Sequence, residues 1–169
     1  MNRYTVPHDD DSMDSTTYRH HYRLEWEEWL AKQKFDRFVT LNFNRDTTPA
    51  GARRMLGLFL ARLDRRFLGR RWCEKGWERT FGVAVLENQE TNLHIHVAMR
   101  LPASAAALSF GEQQLYLEST WCQLVAGGQC DVQAVYDRAG VARYMAKQLP
   151  RRGYAKGYIL ASEFHNYDM

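Results

Sequence analysis

Apolar and polar residues alternate in three stretches of the chain, and this period of two predicts three β-strands; the apolar run at residues 81–86 predicts a fourth. The strands are predicted at residues 37–43, about 80–88, about 92–101 and 131–136. In the first strand, Phe38 and Thr40 share one face, and three apolar residues share the other. The second and third strands are joined through polar residues 88–92, which predicts a β-hairpin that ends at Pro102.

Apolar residues spaced three and four apart predict four helices. The helices are predicted at residues 22–33, 49–68, 110–125 and 141–149. The second helix has the clearest boundaries, because Thr48 and Pro49 form a start signal and Gly69 a stop signal. Core candidates of the third helix include Leu115 and Trp121. From residue 37 onward the order is strand, helix, hairpin, helix, strand, helix. We therefore expect an α+β fold with an antiparallel sheet of about five strands and helices packed on one of its faces.

The distribution of charge divides the chain into an acidic start and a basic body. Residues 1–36 hold five basic and eight acidic side chains, and the remaining residues hold 18 and 12. The polar residues 1–20 predict a flexible leader, followed by a single domain at residues 21–169. The tail at residues 151–169 predicts no clear element. A basic body is typical of proteins with a polyanionic partner.

The cysteines predict the cellular compartment, and the sequence argues against a membrane protein and against an enzyme driven by nucleotide hydrolysis. Cys73, Cys122 and Cys130 are odd in number and lack the Cys-x-x-Cys spacing, which predicts reduced thiols in a cytoplasmic protein. No apolar run approaches the ~20 residues of a membrane span, so no membrane partner is expected. The chain lacks a glycine-rich phosphate loop, which argues against an enzyme driven by nucleotide hydrolysis.

Two histidines two residues apart are the strongest candidate for chemistry. His94 and His96 alternate with apolar residues, so both imidazoles lie on one face of the predicted strand. A turn centred on residues 90–91 would place Glu87 opposite His94 and Val85 opposite His96. Two imidazoles and one carboxylate leave coordination positions open, as a catalytic metal requires. The same His-x-His pattern also occurs in proteins without a metal.

The last helix carries a candidate nucleophile. Tyr144 lies about a quarter turn from the centre of the predicted buried stripe, and Lys147 is its neighbour on the exposed side. A tyrosine in this position can be an amphipathic anchor. It can also be a nucleophile, but the pKa of free tyrosine is about 10, so a cationic setting or a metal-polarised target is then needed.

The second helix carries arginines on the side opposite its apolar stripe. This set comprises Arg53, Arg54, Arg62, Arg65 and Arg66. Such a run is either a solvated face or a surface for a nucleic-acid backbone, and the sequence alone leaves both readings open.

Three segments, in this order, resemble the motifs of HUH endonucleases, the superfamily of replication initiators and relaxases. Residues 38–43, Phe-Val-Thr-Leu-Asn-Phe, are similar to the first motif, a hydrophobic strand with an internal threonine. Residues 93–97, Leu-His-Ile-His-Val, resemble the motif that names the family. Residues 144–147, Tyr-Met-Ala-Lys, resemble the tyrosine motif. The resemblance covers about residues 37–149 and implies the ferredoxin-like or RRM-like sheet of that superfamily.

The resemblance implies a mechanism residue by residue. His94 and His96 would bind Mg²⁺ or Mn²⁺, with Glu87, or Glu90 in its place, as the third ligand. The ion would polarise the scissile phosphate of single-stranded or hairpin DNA. Tyr144 would attack that phosphate and leave a 5′-phosphotyrosine link with a free 3′-hydroxyl. Lys147 would stabilise charge or favour ionisation of the tyrosine.

The resemblance also implies partners and a place within the superfamily. The sheet, the arginines of the second helix and Arg143 would hold the DNA. Gln148 occupies the position of a second tyrosine, so a single strand transfer per site is expected, as in plasmid or viral rolling-circle initiators, single-tyrosine relaxases and single-strand transposases. No helicase domain follows, so unwinding would require a host helicase.

Two rival functions fit parts of the same pattern. Residues 92–97, Asn-Leu-His-Ile-His-Val, also resemble histidine-triad nucleotide hydrolases, although Asn92 replaces the first histidine. The other rival is a non-catalytic nucleic-acid-binding regulator on the same kind of sheet, for which an intact set of metal ligands and nucleophile is unnecessary. A metal requirement separates the first rival from the nuclease, and a requirement for Tyr144 separates the second.

Overall fold

The structure is a computed structural model that describes residues 15–89, 91–147 and 157–165. The helices are α1 (Ser15–Lys32), α2 (Pro49–Leu68), α3 (Phe110–Leu124) and α4 (Arg138–Lys147). The strands are β1 (Arg37–Asn42), β2 (Phe81–Glu87), β3 (His94–Arg100), β4 (Gln129–Ala134) and β5 (Tyr158–Leu160). The predicted order of strands and helices is confirmed, and β5 adds a strand within the tail that the sequence pattern did not place.

The five strands form one sheet in the order β4-β1-β3-β2-β5, and every neighbouring pair is antiparallel. This confirms the α+β class with an antiparallel five-stranded sheet and helices packed on it. The hairpin register is also confirmed, because Glu87 lies opposite His94 and Val85 lies opposite His96.

Local capping interactions explain where the helices begin and end. The Thr48 side chain accepts a hydrogen bond from the backbone N–H of Gly51, and Gly69 ends α2 with a positive φ of 83°. Helix α4 begins three residues earlier than predicted, because the Asp137 carboxylate accepts the N–H of Gly140. Helix α1 begins at Ser15, so residues 15–20 of the predicted leader are helical, and residues 1–14 lie outside the described chain.

Helices cover both faces of the sheet, so the prediction of a single covered face is wrong. Helices α2 and α3 pack on the face that carries the apolar residues of β1 and β3. Helices α1 and α4 pack on the other face, where Trp26 and Met145 meet Val83, Val85 and Ala98. These three small apolar side chains share a face with the histidines of β3, and they require cover of their own.

Residues 129, 131 and 133 of β4 lie on the histidine-bearing face and are exposed, so this part of the face stays open to solvent.

Helix α3 differs from its prediction in one residue. Trp121 is fully buried as expected, whereas Leu115 is 67% exposed and is not part of the core.

A buried ion pair connects α2 to the residues that precede β2. The Arg79 Nε atom lies 2.7 Å from Oδ2 of Asp64, and both side chains are almost fully buried. Thr80 donates two hydrogen bonds, from its backbone N–H and its hydroxyl, to the other carboxylate oxygen. Arg79 also donates to the carbonyl of His165 and lies over the ring of Trp72. The network therefore attaches the end of the described chain to the core.

The three cysteines are free thiols in different surroundings, and we expect them to react at different rates. Burial, followed by the nearby Glu118 carboxylate, raises the pKa of the Cys130 thiol to about 12, whereas Cys73 and Cys122 are exposed. Since the thiolate is the reactive form, iodoacetamide at pH 8 should modify Cys73 and Cys122 first. Peptide mass spectrometry checks this, and Cys130 should react fully only in denaturant. Equal labelling of Cys130 and Cys73 in the folded protein would contradict the structure.

No helix among the described residues is long and apolar enough to cross a membrane.

Candidate active site

The β2–β3 hairpin brings two imidazoles to one carboxylate oxygen. Oε2 of Glu87 lies 3.0 Å from Nε2 of His94 and 2.7 Å from Nε2 of His96. His94 stands directly opposite Glu87, and His96 follows two residues later on the same face. The antiparallel register therefore produces this convergence without any irregular loop.

The outer ring nitrogens of both histidines are held by oxygen atoms. Nδ1 of His94 lies 3.0 Å from the carbonyl of Asn92, which can only accept, so this nitrogen carries the proton. Nδ1 of His96 lies 3.1 Å from the hydroxyl of Thr40, which can accept in the same way. The contacts of the two Nε2 atoms with Glu87 can then be of two kinds. Either Nε2 also carries a proton and donates it to the carboxylate, or a metal ion lies between the nitrogen and the oxygen.

The geometry of these three groups suits a metal ion. The ligand atoms of Glu87, His94 and His96 lie within 4.8 Å of one another. At metal–ligand distances of about 2.1 Å, neighbouring ligands of an octahedral ion lie about 3.0 Å apart, close to the two observed contacts with the carboxylate. Ligating histidines commonly donate their second N–H to a carbonyl or hydroxyl, as both do here. The cluster could therefore hold a metal ion and leave coordination positions open.

Helix α4 adds a phenol to the same group. The hydroxyl of Tyr144 donates to Oε2 of Glu87 at 3.1 Å and lies 3.0 Å from Nε2 of His96. The helix reaches this position because Ala142, Met145 and Ala146 are buried beneath it. Tyr144 itself is 38% exposed, so its hydroxyl lies at the border between the cluster and solvent.

Electrostatic effects favour the metal-binding forms of Glu87 and His96. Burial raises the pKa of the Glu87 carboxyl, but hydrogen bonds from His96, His94 and Tyr144 outweigh this and leave the pKa below its ordinary value. Burial lowers the pKa of His96, and it outweighs the opposing hydrogen bond to Glu87. At neutral pH the carboxylate is therefore ionised and the His96 imidazole is neutral, which are the forms that bind metals.

The structure brings together some of the predicted site residues and separates others. Tyr144 joins the cluster, and Lys147 is exposed one turn further along the same helix. Arg143 is also exposed on α4, with its Nε atom 3.4 Å from Glu27. Glu90 and Gln148 lie outside the described residues.

Searches of protein-family models, curated proteins and solved structures found no match to this chain.

The arginines of α2 lie on the opposite side of the sheet from the cluster. Helix α2 packs with α3, on the face that His94 and His96 point away from. Arg53 is half-buried and pairs with Glu163 at 2.7 Å. The exposed arginines are Arg54, Arg62, Arg65 and Arg66. These arginines therefore lie apart from Tyr144 and the cluster, and the prediction that they hold DNA stays a prediction.

Two residues of β1 contribute to the cluster in ways that sequence reasoning missed. Thr40 bonds to His96, and the Phe38 ring stacks on His96 with centroids 5.6 Å apart and packs edge-on against Tyr144. The alternation along β1 had put these two residues on one face. The signal that could have found their role is the pairing of β1 with β3, which sets Thr40 beside His96.

Removing the Thr40 hydroxyl is expected to weaken metal binding. Thr40→Val keeps the shape of the side chain and removes the hydrogen bond to Nδ1 of His96. Loss of such an outer partner typically lowers metal affinity about 10–100-fold. Titration of Mn²⁺ by calorimetry measures this, and Thr40→Ser, which keeps the hydroxyl, should bind like the wild type. Equal affinities for the valine and serine variants would show that the hydroxyl does not orient the ligand.

Proposed function

We propose that this chain is a metal-dependent endonuclease and strand transferase of the HUH type, which nicks and rejoins single-stranded DNA through Tyr144. The observation that carries the proposal is the phenol of Tyr144, held within 3.1 Å of both Glu87 and His96. A purely structural metal site needs no tyrosine hydroxyl beside its ligands. The motif resemblance supports the same assignment.

The proposed reaction is a transfer of one phosphodiester bond. The Tyr144 oxygen forms a bond to phosphorus, the bond from phosphorus to the 3′-oxygen breaks, and that oxygen takes up a proton to become a free 3′-hydroxyl. The phenol proton leaves toward Glu87, which accepts the Tyr144 hydrogen bond in the structure. A carboxylate has about four acceptor positions, so Glu87 can serve as a ligand and still accept this proton. The 5′-phosphotyrosine link conserves the bond energy for rejoining.

The donor set supports a divalent ion with mixed ligand preference. Carboxylates suit Mg²⁺ and Mn²⁺, and imidazoles suit transition metals, so Mn²⁺, which is a transition metal that carboxylates bind, is the ion we propose to test at Glu87, His94 and His96. When bound there, such an ion would polarise the scissile phosphate and stabilise its charge. Lys147, exposed on the same helix as Tyr144, is proposed to contact the phosphate chain.

The open surface beside the cluster favours a polymer over a small nucleotide. Residues 129, 131 and 133 are exposed on the same face as Thr40 and His96. A strand can lie across such a surface, whereas a nucleotide hydrolase holds its substrate in a concave pocket. This observation favours the nuclease over the histidine-triad alternative.

The polarity of the covalent link provides the test. A pool of random single-stranded oligonucleotides is labelled at the 3′ end in one sample and at the 5′ end in another, and each is incubated with Mn²⁺. We expect only the 3′ label to move to a slower protein band on a denaturing gel, and EDTA should prevent this. Nuclease trimming and mass spectrometry should locate the nucleotide on Tyr144.

Other outcomes assign other functions. Cleavage without an adduct would indicate hydrolysis by water, and an adduct on the 5′-labelled fragment would indicate the opposite polarity. Tight binding of the pool without cleavage would favour the non-catalytic regulator.

A further inference from the structure

The outer side of α2 is a strongly basic surface. We call Arg54, Arg62, Arg65 and Arg66 the α2 arginine face; all four side chains are exposed. Among the described residues, none of the four has a carboxylate within ion-pair distance. The acidic residue of this helix, Asp64, is fully buried and pairs with Arg79. The like charges of these arginines repel one another, and a bound polyanion would offset that repulsion.

The α2 arginine face cannot act on the phosphate that Tyr144 would attack. Helix α2 packs on one face of the sheet, and Glu87, His94 and His96 lie on the other. From Arg54 to Arg65 the arginines extend over about 16 Å, at about 1.5 Å per residue of helix. This length matches several nucleotides of a strand and exceeds what one phosphate needs.

A cavity of about 450 Å³ adjoins the arginines. Gly57 and Ala61 form part of its lining on α2, and the aromatic side chains of Trp72 and Phe164 form another part. Arg54 also lines it, so a cation lies beside an apolar, aromatic space. A planar base with an attached phosphate is complementary to this space, because bases stack on aromatic rings and phosphates pair with arginine.

We infer that the α2 arginine face and the adjoining cavity form a second binding surface for single-stranded DNA, separate from the surface at Tyr144. The arginines hold phosphates, and the cavity takes one base against Trp72 and Phe164. This inference rests on the proposed function for the identity of the polyanion. It adds that a bound strand is held at two opposite faces of the sheet, with the reacting phosphate at only one of them.

Salt dependence of binding tests the role of the arginines. The probe is a fluorescein-labelled dT₂₀ oligonucleotide, with EDTA present so that no cleavage occurs. Each lost phosphate contact lowers the slope of log affinity against log salt by about 0.7 for a single strand. The double variant Arg62→Gln, Arg65→Gln should therefore show a slope smaller by about 1.4. The matched control, Arg23→Gln with Arg138→Gln, removes two exposed arginines from α1 and α4 and should keep the wild-type slope.

An abasic strand tests the role of the cavity. An abasic oligonucleotide of the same length has the same phosphates and no bases to stack. We expect Ala61→Phe, which fills the cavity, to reduce the preference for dT₂₀ over the abasic strand at least about fivefold, the equivalent of one stacked base. Ala126→Phe, at an exposed position outside α2, should leave the preference unchanged. An unchanged preference in Ala61→Phe would overturn the assignment of a base to the cavity.

The outcome is independent of whether the chain is a nuclease. Equal salt slopes for the two double variants would overturn the second surface, even if wild-type protein forms the covalent adduct. A reduced slope for Arg62→Gln with Arg65→Gln would support the second surface, even if no adduct forms.

Discussion

Tyr144→Phe is expected to abolish the covalent protein–DNA adduct while leaving metal affinity close to that of the wild type. The substitution removes only the hydroxyl that would form the bond to phosphorus. The phenylalanine ring can keep the contacts of Tyr144 with Phe38 and His96. The ligand atoms of Glu87, His94 and His96 all remain. Denaturing gels with the 3′-labelled pool measure the first effect, and Mn²⁺ titration measures the second.

A second tyrosine provides the control for this prediction. Tyr136 is 94% exposed in the segment just before α4, and Tyr136→Phe should form the adduct at the wild-type rate. An adduct that persists in Tyr144→Phe would place the nucleophile elsewhere and end the proposal for Tyr144. Loss of the adduct in both variants would indicate a general effect of altering this region.

Asp64→Ala is expected to lower the free energy of unfolding by about 3–5 kcal/mol, because it leaves a buried guanidinium without its partner. Arg79 is only 5% exposed, and the carboxylate also accepts both hydrogen bonds from Thr80. Urea unfolding followed by circular dichroism measures the change. Asp46 is exposed in the segment before α2, and Asp46→Ala should stay within about 0.5 kcal/mol of the wild type.

A double variant separates the lost pair from a general loss of packing. Combining Asp64→Leu with Arg79→Met removes both charges and fills most of their volume. Such replacements of buried ion pairs are often neutral, so the double variant should be more stable than Asp64→Ala. If the double variant is less stable than Asp64→Ala, the cost of the single substitution does not come from an unpaired charge.

The hairpin at the centre of the site could be predicted from the sequence because its geometry is local. A strand period of two and a short turn were enough to set Glu87 opposite His94. The alternation also put the histidines on a face of their own. Tyr144 is separated from Glu87 by 57 residues, and periodicity alone could not connect them. The motif resemblance supplied that connection.

The sequence contains a signal that helices cover both faces of the sheet, although only one covered face was predicted. Residues 81–86 of β2 are apolar or glycine without interruption, so Val83 and Val85 are apolar on the histidine-bearing face. A strand that is apolar on both faces requires cover on both. Helical periodicity shows which side of a helix is buried. It does not show which face of the sheet that side packs against. For the same reason, the sequence did not show on which face of the sheet the arginines of α2 lie.

Thr40 and Phe38 could not be assigned because their role depends on a long-range register. The pattern of β1 fixes which of its residues share a face, but the partner strand is almost sixty residues away in the chain. Only the pairing of Thr40 with His96 shows that this face is the one with the histidines. Long-range register is set by packing of the whole sheet, and no local pattern records it.

The site depends on the spacing of its residues along β3 and α4. An inserted or deleted residue therefore disturbs it more than a substitution of an exposed residue nearby. One inserted residue between His94 and His96 would put the two imidazoles on opposite faces of β3. One inserted residue between Ala142 and Tyr144 would rotate the phenol by about 100° around α4. Many exposed side chains nearby could vary without such an effect. Among descendants of this chain, insertions and deletions should therefore be confined to the segments between the elements.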